Sequence, residues 1–427
     1  MKYAIRTLGC KVNQFETQAI EKLLRARGHA PTEGGDADVV IVNTCAVTAE
    51  SGRKSRQAVR RLLSDNPGAV AAVCGCYSQL SPEDAEALGA EVVYGSGDRM
   101  AFVDAVERAA AERQRERKID DPFRRLTLEP LPAGPMEGRT RAYMKIEDGC
   151  DNFCAYCIIP YARGRVRSMP LADAAAEATR LQAEGFLEIV VSGIEISSYG
   201  KDFQNGAGLA DAIAAIAGAA PRCRVRLGSL EPTVVTPDFC RRLAELGNVC
   251  PHFHLSLQSG CDRTLAAMRR KYDCDGFRRA VNALRETFPG CALTADLITG
   301  FPGETEADFE STLAFLREIG FAAMHVFPYS VRPGTRAAGM PDQLPRAVKE
   351  ARARRAQAVA DELEDAYLRA QIGETRSVLF ETEQNGLWQG HSENYCLVRA
   401  EGEDLHGLIR NVKIIGLEGK NLVGLTL

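Results

Sequence analysis

Along the first third of the chain, short apolar runs alternate with stretches where apolar residues recur every three or four positions. Lys2 to Leu8 is β-prone and is broken by Gly9-Cys10. A helix is predicted from about Asn13 to Arg27, with Ile20, Leu23 and Leu24 on one face and Gly28 as its stop. Asp38 to Asn43 is a continuous apolar run, the mark of a strand covered on both sides. A helix with Arg53, Lys54, Arg56, Arg60 and Arg61 on its polar face follows. Ala69 to Val73 and Glu91 to Tyr94 read as further strands, and Arg108 to Lys118 as the end of a solvated helix. Alternating strands and helices predict a doubly wound parallel α/β domain over residues 1–125.

Asp120 to Pro135 holds several prolines and little periodicity, so a linker is predicted there. Beyond it, strands are expected at Ala142–Ile146, Glu188–Val191, Arg224–Leu227, His252–Leu257, Leu293–Ile298 and Met324–Tyr329, separated by helical stretches. Six such units predict an open (β/α)6 barrel over residues 126–370, whose active site sits at the carboxyl ends of the strands. From 371 to 427 the pattern changes to short strands, at Thr375–Glu381, Tyr395–Arg399, Gly407–Ile415 and Asn421–Leu425, punctuated by glycines. That pattern predicts a small closed β-barrel.

Composition narrows the class. With 427 residues the chain needs more than one core, and 45% hydrophobic with 26% charged residues is the balance of a soluble globular protein. No run approaches the ~18 apolar residues of a membrane span, and Met1-Lys2-Tyr3-Ala4-Ile5-Arg6 has no signal segment. A cytoplasmic protein with no membrane partner is expected. The net charge of −4 does not advertise nucleic-acid binding, so any such role rests on local patches. Arg163-Gly164-Arg165-Val166-Arg167 is one candidate, able to grip an RNA backbone or to be an ordinary solvated loop; Arg346 to Arg355 reads as a charged helix face. The final 57 residues carry five basic and eight acidic side chains, which argues against a strongly cationic surface there.

The chemistry lies in the cysteines. Fourteen of them in a reducing compartment are buried small residues or ligands, not a disulfide framework. Cys150, Cys154 and Cys157 fall within eight residues. Thiolates from one short loop suit an iron–sulfur cluster, and three ligands for four irons leave one iron open to a substrate or cofactor. A zinc loop or three packed thiols is the plainer alternative. Cys10, Cys45 and Cys76 each follow a predicted strand, so a parallel sheet would bring them to one edge as a second cluster site. Scattered buried thiols are the alternative there. Cys74 falls inside its strand and reads as packing. In the strand His252–Leu257, one of His252 and His254 is expected to be packed rather than catalytic.

The spacing C-x3-C-x2-C with Tyr156 before the last cysteine resembles the signature of radical S-adenosylmethionine (SAM) enzymes. Leu8-Gly9-Cys10-Lys11-Val12-Asn13-Gln14, Asn43-Thr44-Cys45-Ala46-Val47-Thr48 and Gly75-Cys76-Tyr77-Ser78-Gln79 resemble the amino-terminal domain of the methylthiotransferases within that class. Gly390-His391-Ser392-Glu393-Asn394-Tyr395 resembles the TRAM barrel of RNA-modifying enzymes. The resemblance covers the whole chain. It implies SAM and two [4Fe–4S] clusters, one on Cys150, Cys154 and Cys157 for SAM cleavage and one on Cys10, Cys45 and Cys76 carrying sulfur. It implies SAM contacts at Gly193, Glu195, Ser256, Gln258, Asp296 and Ile298, although Ser192-Gly193-Ile194-Glu195 departs from the common Gly-Gly-Glu motif. The first motif is closest to the branch that places a methylthio group on C2 of N6-threonylcarbamoyladenosine beside the tRNA anticodon. The implied partners are that tRNA and a reductant such as a flavodoxin or ferredoxin. Rival substrates are isopentenyladenosine in tRNA and an aspartate of a ribosomal protein; a non-catalytic iron–sulfur carrier or RNA-binding adaptor is the reading from another class.

Overall fold

The structure, a computed structural model, describes residues 1–132 and 140–427; the last part of the expected linker, 133–135, lies outside the described residues. The first sheet has six strands, in the spatial order Ala30–Pro31, Lys2–Thr7, Val39–Thr44, Val70–Gly75, Val92–Tyr94 and Glu116–Lys118. Every pairing in it is parallel. Both central strands are buried along their whole length, as their unbroken apolar runs require. Val39, Ile41, Val70 and Ala72 pack with Ile20, Leu24, Phe102 and Val106 on one face. Val40, Val42, Ala71 and Val73 pack with Val59 and Ala85 on the other.

One expectation is corrected here. The helix Arg99–Glu112 stops at Arg113, which turns to φ +56, and Glu116–Lys118 is a strand rather than the end of the helix. Its charges suit a solvated helix and an edge strand equally, because an edge strand tolerates charges that a central one would not.

The middle region carries six parallel strand positions. Arg141–Lys145, Glu188–Ser192 and Arg224–Leu227 form one sheet; Ser229–Leu230, His252–Gln258, Ala292–Thr299 and Ala323–Pro328 form another. The third strand is split at Gly228: its first half pairs backwards with Glu188–Ser192 and its second half forwards with His252–Gln258. The first and last strands do not pair, so the barrel is open. Helix Lys11–Ala26 packs on the first strand, and its Phe15 joins the apolar core of the barrel. Helix Arg346–Arg369 covers the last strands. The cationic run that opens this helix is mostly a charged face, with Arg346, Arg354 and Arg355 exposed, but it also clamps the domain: Arg352 is buried and bonds Glu304 at 2.7 Å, and Arg355 pairs with Glu306 and Glu310.

The last region is a closed barrel in the order Thr375–Gln384, Leu387–Ser392, Leu397–Ala400, Asn421–Thr426, Ile409–Glu418. The fifth strand, Leu387–Ser392, was hidden by its glycines. Gly390 stands where a Cβ would lie 2.1 Å from the Leu379 carbonyl, so it marks a close approach inside a strand rather than a turn. Hydrogen bonds from strands of the open barrel dock this one. Arg224 donates to the Ser377 and His391 carbonyls at 3.0 and 2.8 Å, and Arg226 to those of Glu393 and Ser392 at 3.0 and 3.1 Å.

Candidate active site

The loop carrying Cys150, Cys154 and Cys157 follows the first barrel strand. Gly149 opens it at φ +86, where a Cβ would sit 1.9 Å from the Arg165 carbonyl, so only glycine fits. The Cys150 amide donates to the Gly164 carbonyl at 3.0 Å and the Cys157 amide to that of Cys154 at 2.9 Å. Ala155, between them, is tied to two distant segments: its amide donates to the Met268 carbonyl at 2.9 Å and its carbonyl accepts from Ala337 at 2.7 Å. The thiols lie close enough to disfavour one another's ionisation. Burial, joined by Cys154, pushes the Cys157 thiol up to about 12, and burial raises Cys150 further. Cations or a metal must therefore stabilise the thiolate forms.

Arg270 supplies one such cation, and nothing in its sequence context marks it: Met268-Arg269-Arg270-Lys271 looks like an ordinary basic surface run. Its Nη1 donates to Cys154 Sγ at 3.0 Å, its Nη2 lies 3.3 Å from Glu231, and its guanidinium sits 4.9 Å from the centre of the Tyr272 ring. Its Nη2 has no hydrogen-bond acceptor among the described residues, and Glu147 Oε1 has no donor.

The predicted SAM-contact residues divide in two. Gly193 and Glu195 adjoin the cysteine loop. The Glu195 amide donates to Glu147 at 2.8 Å, a Cβ on Gly193 would lie 2.6 Å from that same carboxyl, and Glu195 is electrostatically coupled to Cys150 and Cys157. Burial, reinforced by Glu231, raises the Glu195 carboxyl to about 7. Ile298 packs with Ala155 and Tyr156 of the loop. Ser256 and Gln258 lie at an irregular strand end, where pairing shifts register and Gln258 takes φ +64; the Ser256 carbonyl accepts from the Tyr272 hydroxyl. Asp296 stands apart, 3.4 Å from His254. His252 is the packed member of the histidine pair, buried against Tyr395 at 4.8 Å between ring centres.

Cys10, Cys45 and Cys76 do meet at one edge of the first sheet. A Cβ on Gly9 would lie 3.1 Å from Cys45 Sγ, and the Cys10–Cys45, Cys45–Cys76 and Cys76–Cys10 pairs each act on one another electrostatically. Buried Asn13 joins the loops, donating to the Leu8 and Thr44 carbonyls at 2.9 Å each. Cys74 packs in the sheet core. The two cysteine sets face each other across a shared apolar cluster: Ala46, Cys76 and Tyr77 pack against Ile158 and Ala162, just beyond Cys157. All fourteen cysteines are free thiols. Among the described residues no three Cys, His, Asp or Glu side chains are already drawn to metal-ligand distance, so each triad is a set of neighbouring thiols rather than a closed cage.

The Arg163–Arg167 patch is corrected. Arg163 is fully buried and Arg167 nearly so, leaving only Arg165 at the surface. Arg163 donates Nε to Cys76 Sγ at 3.2 Å and Nη2 to Glu16 and Asn13 at 3.1 Å each. Glu16 also binds Arg99 at 2.9 Å and Lys145 at 3.3 Å, while Asp148 binds Lys145 at 3.0 Å and Arg163 at 3.3 Å. Burial opposes ionisation of Glu16, but Arg163, Arg99 and Lys145 outweigh it and hold the carboxyl well below its usual range. The buried group sets Arg99, Lys145, Arg163 and Arg167 against Glu16 and Asp148, a positive excess beside the thiols. Soft donors with surplus positive charge fit an anionic iron–sulfur–thiolate group better than a bare cation.

An open parallel barrel with three cysteines after its first strand defines the radical SAM class. The Radical SAM superfamily model matches residues 144–316, and a second, described as uncharacterized protein family UPF0004, matches 2–95. A threonylcarbamoyladenosine tRNA methylthiotransferase of Bacillus subtilis is 38% identical over 96% of this chain and 93% of its own. One of Thermotoga maritima is 36% identical over 98% and 95%. A tRNA-2-methylthio-N(6)-dimethylallyladenosine synthase of Moorella thermoacetica is 35% identical over 89% and 87%. The fold is also that of a radical SAM methyltransferase, TsrM, of Kitasatospora setae solved with cobalamin and a [4Fe-4S] cluster, at TM-score 0.59 and 16% identity over 79% of this chain and 77% of that one. The chain belongs to the radical SAM tRNA methylthiotransferase family, and it is an enzyme. Among the described residues no helix is long and apolar enough to cross a membrane.

Proposed function

We propose that this enzyme adds a methylthio group at C2 of N6-threonylcarbamoyladenosine next to the anticodon of tRNA. The observation that carries the reading is the pairing of two cysteine triads across the cluster of Cys76, Ile158 and Ala162, in a chain that aligns nearly end to end with enzymes named for that nucleoside. The division of labour follows the three regions, 1–125, 126–370 and 371–427: sulfur site, radical barrel and TRAM-like barrel.

Cys150, Cys154 and Cys157 would hold one [4Fe–4S] cluster and Cys10, Cys45 and Cys76 a second. With SAM and an electron from a flavodoxin or ferredoxin these groups supply the radical and the sulfur that acid–base side chains cannot. The residues around them bind, orient and exclude water. Glu195 and Glu231 offer carboxylates for the ammonium of SAM, and the unsatisfied Nη2 of Arg270 offers a donor for its carboxylate. Gly193, Ser256, Gln258 and Ile298 line the same strand ends, with Asp296 further along. Arg270 donates to Cys154 and Arg163 to Cys76, so each arginine sets a positive charge beside a sulfur that would ligate a cluster. The apolar cluster between the triads excludes water from the space where the flipped-out base must sit. The setting is cytoplasmic, with tRNA as the macromolecular partner. Mass spectrometry of tRNA nucleosides from cells with and without the gene tests the reading: loss of the methylthio form of threonylcarbamoyladenosine supports it, and loss of the methylthio dimethylallyl form instead replaces it.

A further inference from the structure

The interior of the open barrel contains a cation that the site described above does not use. Along each barrel strand, alternate residues such as Ala142, Ile189, Val225 and Phe253 pack outward into the helix-covered core. By the period of two, Arg141, Glu188, Arg224, Arg226, His252 and His254 face the opposite way, into the interior. Their charges are mostly matched. Buried Glu188 accepts from Arg224 at 2.5 Å and Arg226 at 2.8 Å, and Arg141 bonds Glu381 at 2.8 Å. Lys11 enters this group from the amino-terminal helix, which packs on the first barrel strand, and it stands one turn before Phe15, which joins the barrel core; Tyr395, Arg226, Arg141 and Glu188 act on its charge. Its side chain is half-buried, and the ammonium forms no hydrogen bond or ion pair among the described residues. Lys11, Arg141, Arg224 and Arg226 thus set four cations against the two carboxylates of Glu188 and Glu381, and of the four only the Lys11 ammonium has no carboxylate partner among the described residues.

A half-buried ammonium with no counter-ion forfeits hydration without recompense, so such a site favours an anionic ligand. Lys11 directly follows Cys10, so the anion must lie close to the atom that receives sulfur. Beside it Tyr395, held at φ +68, presents a ring stacked 4.7 Å from His391 and covered by Arg226 at 4.7 Å, a flat and cationic wall. The relatives of this chain act, by their names, on two adenosines that differ in the N6 substituent: threonylcarbamoyl ends in a carboxylate, and dimethylallyl is a hydrocarbon. On the ring, C6 is separated from C2 by one nitrogen, so an N6 substituent falls within reach of a side chain next to the sulfur site. We propose that Lys11 receives the carboxylate of the threonylcarbamoyl group and so determines specificity against adenosines with an apolar N6 substituent. The proposal rests on the reading that threonylcarbamoyladenosine is the substrate.

Two other carboxylates or phosphates could occupy the same charge, those of SAM and of the RNA backbone, and the test separates them. The full cluster-loaded chain, kept oxidised so that no turnover occurs, is titrated with three anticodon stem–loops: one bearing threonylcarbamoyladenosine, one bearing its methyl ester, and one unmodified. The wild type should bind the acid roughly 10- to 100-fold tighter than the ester, the span expected for one charged hydrogen bond. Lys11→Met should bind acid and ester alike, at the affinity of the wild type for the ester, and Lys11→Arg should restore most of the preference. SAM affinity should be unchanged in both. Equal weakening of all three stem–loops would assign Lys11 to the RNA backbone, weakened SAM binding alone would assign it to SAM, and a wild type blind to the ester would remove the carboxylate contact; each overturns the proposal. Failure of the functional reading shows separately, as a wild type that under reducing conditions leaves the acid stem–loop unthiolated.

Discussion

Arg163 Nε donates to Cys76 Sγ at 3.2 Å, so an arginine from the barrel reaches across to a thiol of the first sheet. Arg163 lies six residues beyond Cys157 in sequence, at the end of the short helix Ile159–Arg163. The loop of Cys150, Cys154 and Cys157 and the triad of Cys10, Cys45 and Cys76 are therefore joined by one fully buried side chain as well as by apolar contact. Removing the guanidinium should release the second cluster and spare the first. Arg163→Gln is expected to carry about half the iron of the wild type and to keep SAM cleavage without sulfur insertion, with Arg163→Lys intermediate. Iron analysis and the electron paramagnetic resonance spectrum of the reduced chain read this out; a full iron complement in Arg163→Gln contradicts it.

The cysteine triads should separate functionally. Cys154→Ala loses both a ligand and the acceptor of Arg270, and it should abolish production of deoxyadenosine. Cys45→Ala should retain some SAM cleavage while ending thiomethylation. Chromatographic assay of deoxyadenosine alongside RNA mass spectrometry distinguishes the two, and thiomethylation by Cys45→Ala would refute the sulfur-site assignment.

Glu16 makes the fold acid-sensitive at its most buried junction. Its carboxyl is held well below the usual range although burial opposes this. A depressed carboxyl contributes stability that is fully present above its unfolded value, about 4.3, and is lost as pH falls through the folded value. Glu16→Gln should cost roughly 3–5 kcal/mol at neutral pH, because it strands Arg99 and Arg163 without their shared carboxylate. The deficit should shrink on acidification. Denaturant melts from pH 7 down to about pH 2 measure it, because the loss begins only below the unfolded value, and a deficit that stays constant across that range would show that shape rather than charge matters.

Gly149 is the backbone constraint on the radical loop. Gly149→Ala would drive a methyl group into the Arg165 carbonyl, so the loop must open and Cys150 must move. The variant should fold, as circular dichroism would report, yet bind less than half the iron of the wild type at the first site after reconstitution. Full iron incorporation would mean that the loop relaxes more easily than this packing implies.

Much of this was legible in the sequence. The unbroken apolar runs Val39–Val42 and Val70–Val73 announced buried parallel strands, because only a strand covered on both faces can be apolar at every position. Cysteines placed just after such strands had to gather at one edge, since parallel strands all end on the same side. The spacing of Cys150, Cys154 and Cys157 placed three thiols on one loop in the chain itself.

What only the tertiary structure decided was the pairing of charges. Arginines 163 and 167 read as a surface patch because composition cannot tell an exposed cation from one buried against Glu16 and Asp148, residues remote in sequence or on the far side of the loop. Arg270 and Glu231 met only through the curvature of the barrel, and the strand containing Gly390 existed only because Leu379 passes close by. Periodicity reports which face of an element is apolar, a local property of the chain. Ion pairs, orphaned donors and close backbone approaches depend on which distant segments meet, and that is settled when the sheets close.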